Sequence, residues 1–159
     1  KEIEGTVEAI GWRVTTVRKF NKRPMYIPNA TFTTITLENP SRMTHRRIFE
    51  HIGIRYEDVR VIQAIVDDVR AMLKSHGDIA SDQTLMVHFD LYGPSSLDIM
   101  LYCFTRTKDW AEYHRVRENV LLSVGAIIQK HGAEIAFPTR TIKLEQVEAM
   151  ALSEKGASS

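Results

Sequence analysis

Between residues 5 and 37 the chain is rich in Val, Ile, Thr and Trp, and "GTVEAIGWRVTTVRKF" and "MYIPN" are joined by the turn-forming "NKRP". This composition predicts strands throughout the segment. Within "WRVTTVR", Trp12, Val14 and Thr16 fall on one face, while Arg13, Thr15 and Val17 fall on the other. Pro28 lacks an amide proton, so it belongs at an edge, a bulge or a corner, and Asn29 follows it with turn chemistry. The run from Ala30 to Leu37 continues the strand-like pattern. These strands are too few to bury a core alone, and they call for further strands or neighbouring copies.

After "NPSRMT", residues 39–44, the period changes, which marks an interdomain corner. "RRIFEHIGIRY" alternates Ile48, Glu50, Ile52 and Ile54 against Arg47, Phe49, His51 and Arg55, with a slip near Gly53. From about Asp58 to His76, the spacing of Ile62, Ile65, Val66, Val69, Met72 and Leu73 predicts an amphipathic helix, with Gly77 as its C′ residue. "QTLMVHFDLYG" predicts a strand with Leu85, Val87, Phe89 and Leu91 facing inward. "GPSS" turns the chain, and "LDIMLYCFTRT" is the paired strand, apolar on both faces. A second helix is predicted from about Asp109 to His131, using Trp110, Tyr113, Val116, Val120, Leu121, Val124, Ile127 and Ile128, with Gly132 closing it. "AEIAFP" is a last short strand, stopped by Pro138. The order is β-α-β-β-α-β, the split βαβ or ferredoxin-like pattern. "TRTIKLE" then reads as a strand this sheet does not need, and "QVEAMALSEKGASS" reads as a frayed tail.

Composition changes this picture little. The chain has 159 residues, 43% of them hydrophobic and 26% charged, as in an ordinary globular protein. The net charge of +1 is unevenly spread. Residues 1–60 hold eleven Lys and Arg against seven Asp and Glu, whereas residues 61–159 hold ten against thirteen. A basic first third fits nucleic acid, anionic lipid or a solvated face. The single Cys103 excludes a disulfide within the chain and fits a reducing compartment as a buried, inert thiol. No apolar run reaches the roughly 18 residues of a membrane-spanning helix.

Candidate chemistry is sparse. His45, His51, His76, His88, His114 and His131 never take a tight metal-ligand spacing. The best pair is His88 and Asp90, two ligands where a site needs three or four. "GPSSLD" lacks the glycine frame of a nucleophile elbow, and no Gly-rich phosphate loop is present. Catalytic, metal and cofactor-binding residues are therefore assigned to none. A ferredoxin-like sheet can present an RNA platform, but "LDIMLYCFT" lacks the basic-glycine-aromatic opening of such platforms. An RNA-binding Sm-like or ferredoxin-like module and a metal-assisted enzyme are the two rival readings.

The stretch from residue 5 to residue 144 resembles the cytoplasmic region of the mechanosensitive channel of small conductance (MscS) family. The resemblance is carried by "GTVEAIGWRVTTVR", "YIPN" and "ENPSR", and then by "IGIRY", "FDLYGPSSLDIML" and "AEIAFPTRTI". It implies an α+β chain divided into four parts. A partial Sm-like β domain spans 1–40, a ferredoxin-like domain 41–138, a barrel strand 139–144 and a flexible tail 145–159. The family motif and assembly positions would be Gly5, Arg13, Thr15, Arg18, Ile27, Pro28, Asn29, Asn39, Gly93, Pro94, Phe137 and Pro138. Thr139, Arg140, Thr141, Ile142, Lys143 and Leu144 would form the barrel strand, and Arg13, Arg18, Lys19, Lys22 and Arg23 a lipid-facing basic belt. The "YIPN" stretch would be a subunit-packing corner. The resemblance further implies a homo-oligomer of seven copies forming a cage with side openings, on the cytoplasmic side of a bacterial inner membrane. Such a channel releases ions and osmolytes on hypo-osmotic shock, with no reaction, cofactor or nucleic-acid partner. The family's first β-domain strand, with its Gly-Asp signature, and its pore helix are expected upstream of Lys1.

Overall fold

The computed structural model describes residues 3–138. The chain is α+β, with two small antiparallel sheets and two α-helices, and it falls into two compact units that part between Thr44 and His45.

In the first unit, β1 (Thr6–Ile10), β2 (Val14–Arg18) and β3 (Pro24–Pro28) form a sheet in that order. A bulge between Val7 and Ala9 sets Glu8 out of the β1–β2 register. Thr15, Val17 and Ile27 are buried, and Thr15 lies directly opposite Ile27. Trp12 is not on a strand face: it stands in the β1–β2 turn, 88% exposed.

The expected strand over residues 30–37 does not form. Asn29–Thr33 is a 3₁₀ turn instead. The Thr33 hydroxyl donates to the Ala30 carbonyl at 2.7 Å, and the Thr34 hydroxyl to the Thr31 carbonyl at 3.0 Å. Local side-chain bonding of this kind competes with a β ladder, and the β-branched composition does not reveal it.

In the second unit, β4 (Arg46–Ile54), β5 (Met86–Tyr92) and β6 (Leu97–Thr105) form a sheet in the order β4-β6-β5. The helices α1 (Ile62–Ser75) and α2 (Trp110–Lys130) contribute Ile65, Val66, Val69 and Leu73, and Val116, Val120, Val124 and Ile128, to one core. That core also takes Ile48 and Ile54 from β4, Val87 from β5, and Ile99, Leu101 and Cys103 from β6. The alternation on β6 is complete, with every odd residue from Leu97 to Thr105 buried.

Four expectations need correction here. The first helix begins as a 3₁₀ segment, Tyr56–Val61, and becomes α-helical only at Ile62. Asp58 does not cap it, because its carboxylate accepts from the Glu134 amide at 3.1 Å and from Arg55 Nε at 3.1 Å. Gly77 is not a left-handed C′ residue: His76 leaves the helix in an extended conformation, φ −73° and ψ 122°. Gly132, by contrast, closes α2 at φ +70°, and the Ala133 amide returns to the Ile128 carbonyl. On β5 a bulge between Phe89 and Leu91 breaks the alternation, so Leu91 is exposed and Tyr92 stacks on Tyr56. Finally, "AEIAFP" forms one bridge, Ile135 to Ile54, rather than a strand. β4 ends at Ile54 and Tyr56 already turns away, so the backbone bonds beside the bridge are two, from the Arg55 amide to the Glu134 carbonyl and from the Ala136 amide to the Gly53 carbonyl, among the described residues.

Candidate functional site

Asn29 makes three hydrogen bonds where β3 ends. Its amide donates to the Arg13 carbonyl at 2.9 Å, and its side-chain Nδ2 donates to the Gly11 carbonyl at 2.8 Å. Its Oδ1 accepts from the Thr15 hydroxyl at 2.8 Å. Thr15 is 4% exposed, so that hydroxyl needs an internal partner, and Asn29 supplies it. Pro28 pairs with Val14 at the end of an outer strand, a place where a missing amide costs no ladder bond. The corner thus pins the Gly11–Arg13 turn, and the guanidinium of Arg13 lies 4.9 Å over the ring of Trp12.

Gly5 and Arg18 meet at the other end of the β1–β2 ladder. A Cβ on Gly5 would fall 2.5 Å from the Arg18 carbonyl oxygen and 2.7 Å from Val17 Cγ1, so only glycine fits there. The Arg18 guanidinium clasps Glu8 with two bonds of 2.7 Å and donates to the Lys22 carbonyl at 2.8 Å. That clasp holds the Glu8 carboxyl below the usual carboxylate range and raises Arg18. Lys19, Lys22 and Arg23 stand together at the β2–β3 hairpin tip, where Lys22 has φ 67°.

The remaining positions do not join this corner. Asn39 caps a 3₁₀ turn by accepting from the Ser41 amide at 3.0 Å. Gly93 and Pro94 make the β5–β6 turn, where the Gly93 amide donates to the Ser96 carbonyl at 2.7 Å and the Gly93 carbonyl accepts from the Tyr56 hydroxyl. Phe137 is 74% exposed at the end of the described chain, beside Pro138. Residues 139–144, the expected barrel strand, and the tail at 145–159 lie outside the described residues.

Glu8, Gly11 and Tyr56 were missed from the sequence. Glu8 sits on a bulge, which alternation cannot locate; Gly11 acts through its own carbonyl, and the Tyr56 hydroxyl donates to the Gly93 carbonyl, which no sequence pattern marks.

The arrangement contains little reactive chemistry. Among the described residues, no three His, Cys, Asp or Glu side chains converge on a metal position. His88 and Asp90 do not act together: the bulge carries Asp90 across to His51, whose Nε2 lies 3.3 Å from Asp90 Oδ2. Burial pushes the Cys103 thiol up to about 12, far from thiolate reactivity at neutral pH. An open hollow of about 590 Å³ lies between residues 3–5 and 35–40, and its charged lining groups among the described residues are Glu4 and Glu38. No helix among the described residues is long and apolar enough to cross a membrane.

Residues 51–135 match the family model described as "Mechanosensitive ion channel MscS, C-terminal", and residues 1–42 match "Mechanosensitive ion channel, beta-domain". The chain is 48% identical over 147 residues to the low conductance mechanosensitive channel YnaI of Escherichia coli, covering 92% of this chain and 43% of that protein. It is 35% identical over 148 residues to an uncharacterized MscS family protein of Aquifex aeolicus, covering 92% of this chain and 40% of that one. The chain therefore spans less than half the length of these relatives. Among solved structures, Arabidopsis thaliana MSL1 superposes with a TM-score of 0.81 at 24% identity, over 87% of this chain and 50% of that one. Helicobacter pylori MscS in its closed state gives 0.73 at 21% identity, over 89% and 54%. At these identities the structural likeness speaks to the fold alone.

Proposed function

Because this chain belongs to the MscS family of mechanosensitive ion channels, we propose that it is the cytoplasmic vestibule region of a tension-gated channel in a bacterial inner membrane. In this reading it supports the pore from below and filters the ions and osmolytes that leave on hypo-osmotic shock. It catalyses nothing.

The observation that carries the assembly part is β1. All five residues, Thr6–Ile10, are exposed, and β1 is an outer strand of its sheet. A strand bare on both faces and along one edge is a template for another chain. We read residues 1–40 as an Sm-like β domain whose sheet is completed by further strands and by neighbouring copies, seven in a closed ring. Residues 41–138 are then ferredoxin-like, with the Ile135 bridge placing the last segment beside β4 in the order 135-β4-β6-β5. Residues 139–144 would each lend one strand to a shared barrel, which closes only in an oligomer. The Pro28–Asn29 corner keeps the β1–β2 turn in shape for packing between copies.

The test is a chimera in which this chain replaces the corresponding region of E. coli YnaI. Pressure steps on membrane patches should open it, and light scattering of the purified chimera should give seven copies. A chimera that reaches the membrane but is silent at every pressure, or scatters as a monomer, would overturn the reading.

A further inference from the structure

The structure divides the five residues of the expected basic belt into three environments. Arg18 is committed to Glu8, and Arg13 lies over Trp12. Lys19, Lys22 and Arg23 share the β2–β3 hairpin tip with Phe20 and Asn21, and among the described residues none of the three forms an ion pair.

The tip is rigid. The Lys22 amide donates to the Lys19 carbonyl at 2.9 Å, the Lys19 amide to the Arg23 carbonyl at 3.0 Å, and the Arg23 amide to Asn21 Oδ1 at 3.1 Å. These bonds, with the Arg18 guanidinium on the Lys22 carbonyl, fix the path of the turn. Phe20 is 80% exposed within this turn. Glu4 lines a shallow hollow with Lys19, Phe20 and Asn21, and Glu8 is taken up by Arg18.

We propose that this tip docks on anionic lipid headgroups, with Phe20 entering the interface and Lys19, Lys22 and Arg23 facing the phosphates. Three cations and one exposed aromatic residue in a single turn match the layered chemistry of a bilayer surface, apolar below and anionic above. The alternative of a protein partner is disfavoured by shape. A standard interface covers about 800 Å² of each partner, and a convex five-residue tip offers no such area, whereas a fluid headgroup layer closes around it. The proposal rests on the reading of this chain as part of a membrane channel, within which it narrows the basic belt from five residues to three and adds Phe20. A single tip binds weakly, so copies arrayed on one surface would act together.

The experiment is cosedimentation of the chain with vesicles of phosphatidylcholine and phosphatidylglycerol, and with vesicles of phosphatidylcholine alone. Binding is expected only to the anionic vesicles and should be released by high salt. Joint replacement of Lys19→Gln, Lys22→Gln and Arg23→Gln should lower partitioning on the order of a hundredfold. Phe20→Ser should lower it severalfold, and the emission of Phe20→Trp should shift blue on anionic vesicles. Arg60→Gln with Lys74→Gln, in the second unit, should change nothing. Circular dichroism of each variant establishes that the fold is kept.

Equal binding to neutral vesicles, indifference to the tip variants, or equally tight salt-sensitive binding to single-stranded RNA would each defeat the proposal. A tip that ignores lipid while the YnaI chimera still gates removes this inference alone. A tip that binds lipid in a chimera that never gates removes the channel reading alone.

Discussion

The sheet β1-β2-β3 and the sheet β4-β6-β5 have the same number of strands and the same antiparallel pairing, but very different amounts of covered surface. In the first unit three described residues are buried: Thr15, Val17 and Ile27. In the second, sixteen buried residues form one cluster beneath two helices. Burial of apolar area at roughly 25 cal/mol per Å² is the main stabilising term in folding, so the second unit carries its own stability. The first is shaped by polar devices instead: Asn29 at one end of β2, and the Arg18–Glu8 clasp at the other. Such devices fix geometry well and supply little net free energy. A sheet specified in detail but thinly covered is what one expects of a part shaped for contact with other chains.

The contrast can be broken most directly in the second core. Leu101 is fully buried on the central strand, opposite Glu50 on β4 and Val87 on β5. Leu101→Ala should cost about 3 kcal/mol, read as a lower urea midpoint for the second unit. A loss below about 1 kcal/mol would mean that this core is not what holds the unit together.

Asn29→Ala comes next. It strands the Thr15 hydroxyl and frees the Gly11 carbonyl, while the backbone bond to the Arg13 carbonyl stays, for a loss of about 2 kcal/mol confined to the first unit. Amide exchange of Asn29's neighbours should quicken while the core amides of α2 stay protected. Asn29→Asp keeps the acceptor for Thr15 but loses the donor to Gly11, so it should recover only part of the loss. Equal protection in all three proteins would leave the corner without its assigned role.

Lys22 gives a smaller effect of opposite sign. It occupies the left-handed region at φ 67°, where a Cβ costs roughly 1 kcal/mol. Lys22→Gly should therefore stabilise the hairpin by somewhat less than that, since glycine also gains freedom in the unfolded chain. The same change should weaken binding to anionic vesicles, so stability and lipid affinity would move in opposite directions at one position.

How much of this was legible in the sequence follows the same divide. Where burial decides, periodicity goes far: the stripe from Ile65 to Leu73 is core as its spacing implies, and on the strand Leu97–Thr105, apolar on both faces, the helices select the odd residues for burial. Where polar groups decide, it does not. The threonines of residues 31–34 look like strand formers, yet two of them turn the chain by bonding their own backbone. The bulges at Glu8 and Asp90 shift their strands by one residue and re-aim both carboxylates, toward Arg18 and His51. Pro28 and Asn29 were legible as a corner, because a missing donor and a turn-former leave few alternatives. What that corner grips depends on carbonyls, which every residue has and no sequence pattern marks.

The smallest effect is a titration. Asp58 accepts from the Glu134 amide and from Arg55, and these bonds, the amide first, hold its carboxyl below the usual carboxylate range. Since the folded pKa lies below the unfolded value of about 3.9, the contribution is complete at neutral pH and is lost as pH falls through the folded pKa. The tie at stake joins Glu134 to the Tyr56–Val61 3₁₀ segment that follows β4, so acid should speed amide exchange at Glu134 and Ala136 while the α1 and α2 cores stay closed. Asp58→Asn keeps an acceptor that does not titrate, and it should flatten this dependence. The Glu8–Arg18 clasp shifts in the same direction, but it braces the β1–β2 ladder itself, with no large core behind it. Acid should therefore loosen an edge of the second unit and the framework of the first. Equal acid sensitivity of the amides in β2 and β6 would show that the two sheets are not held by different means.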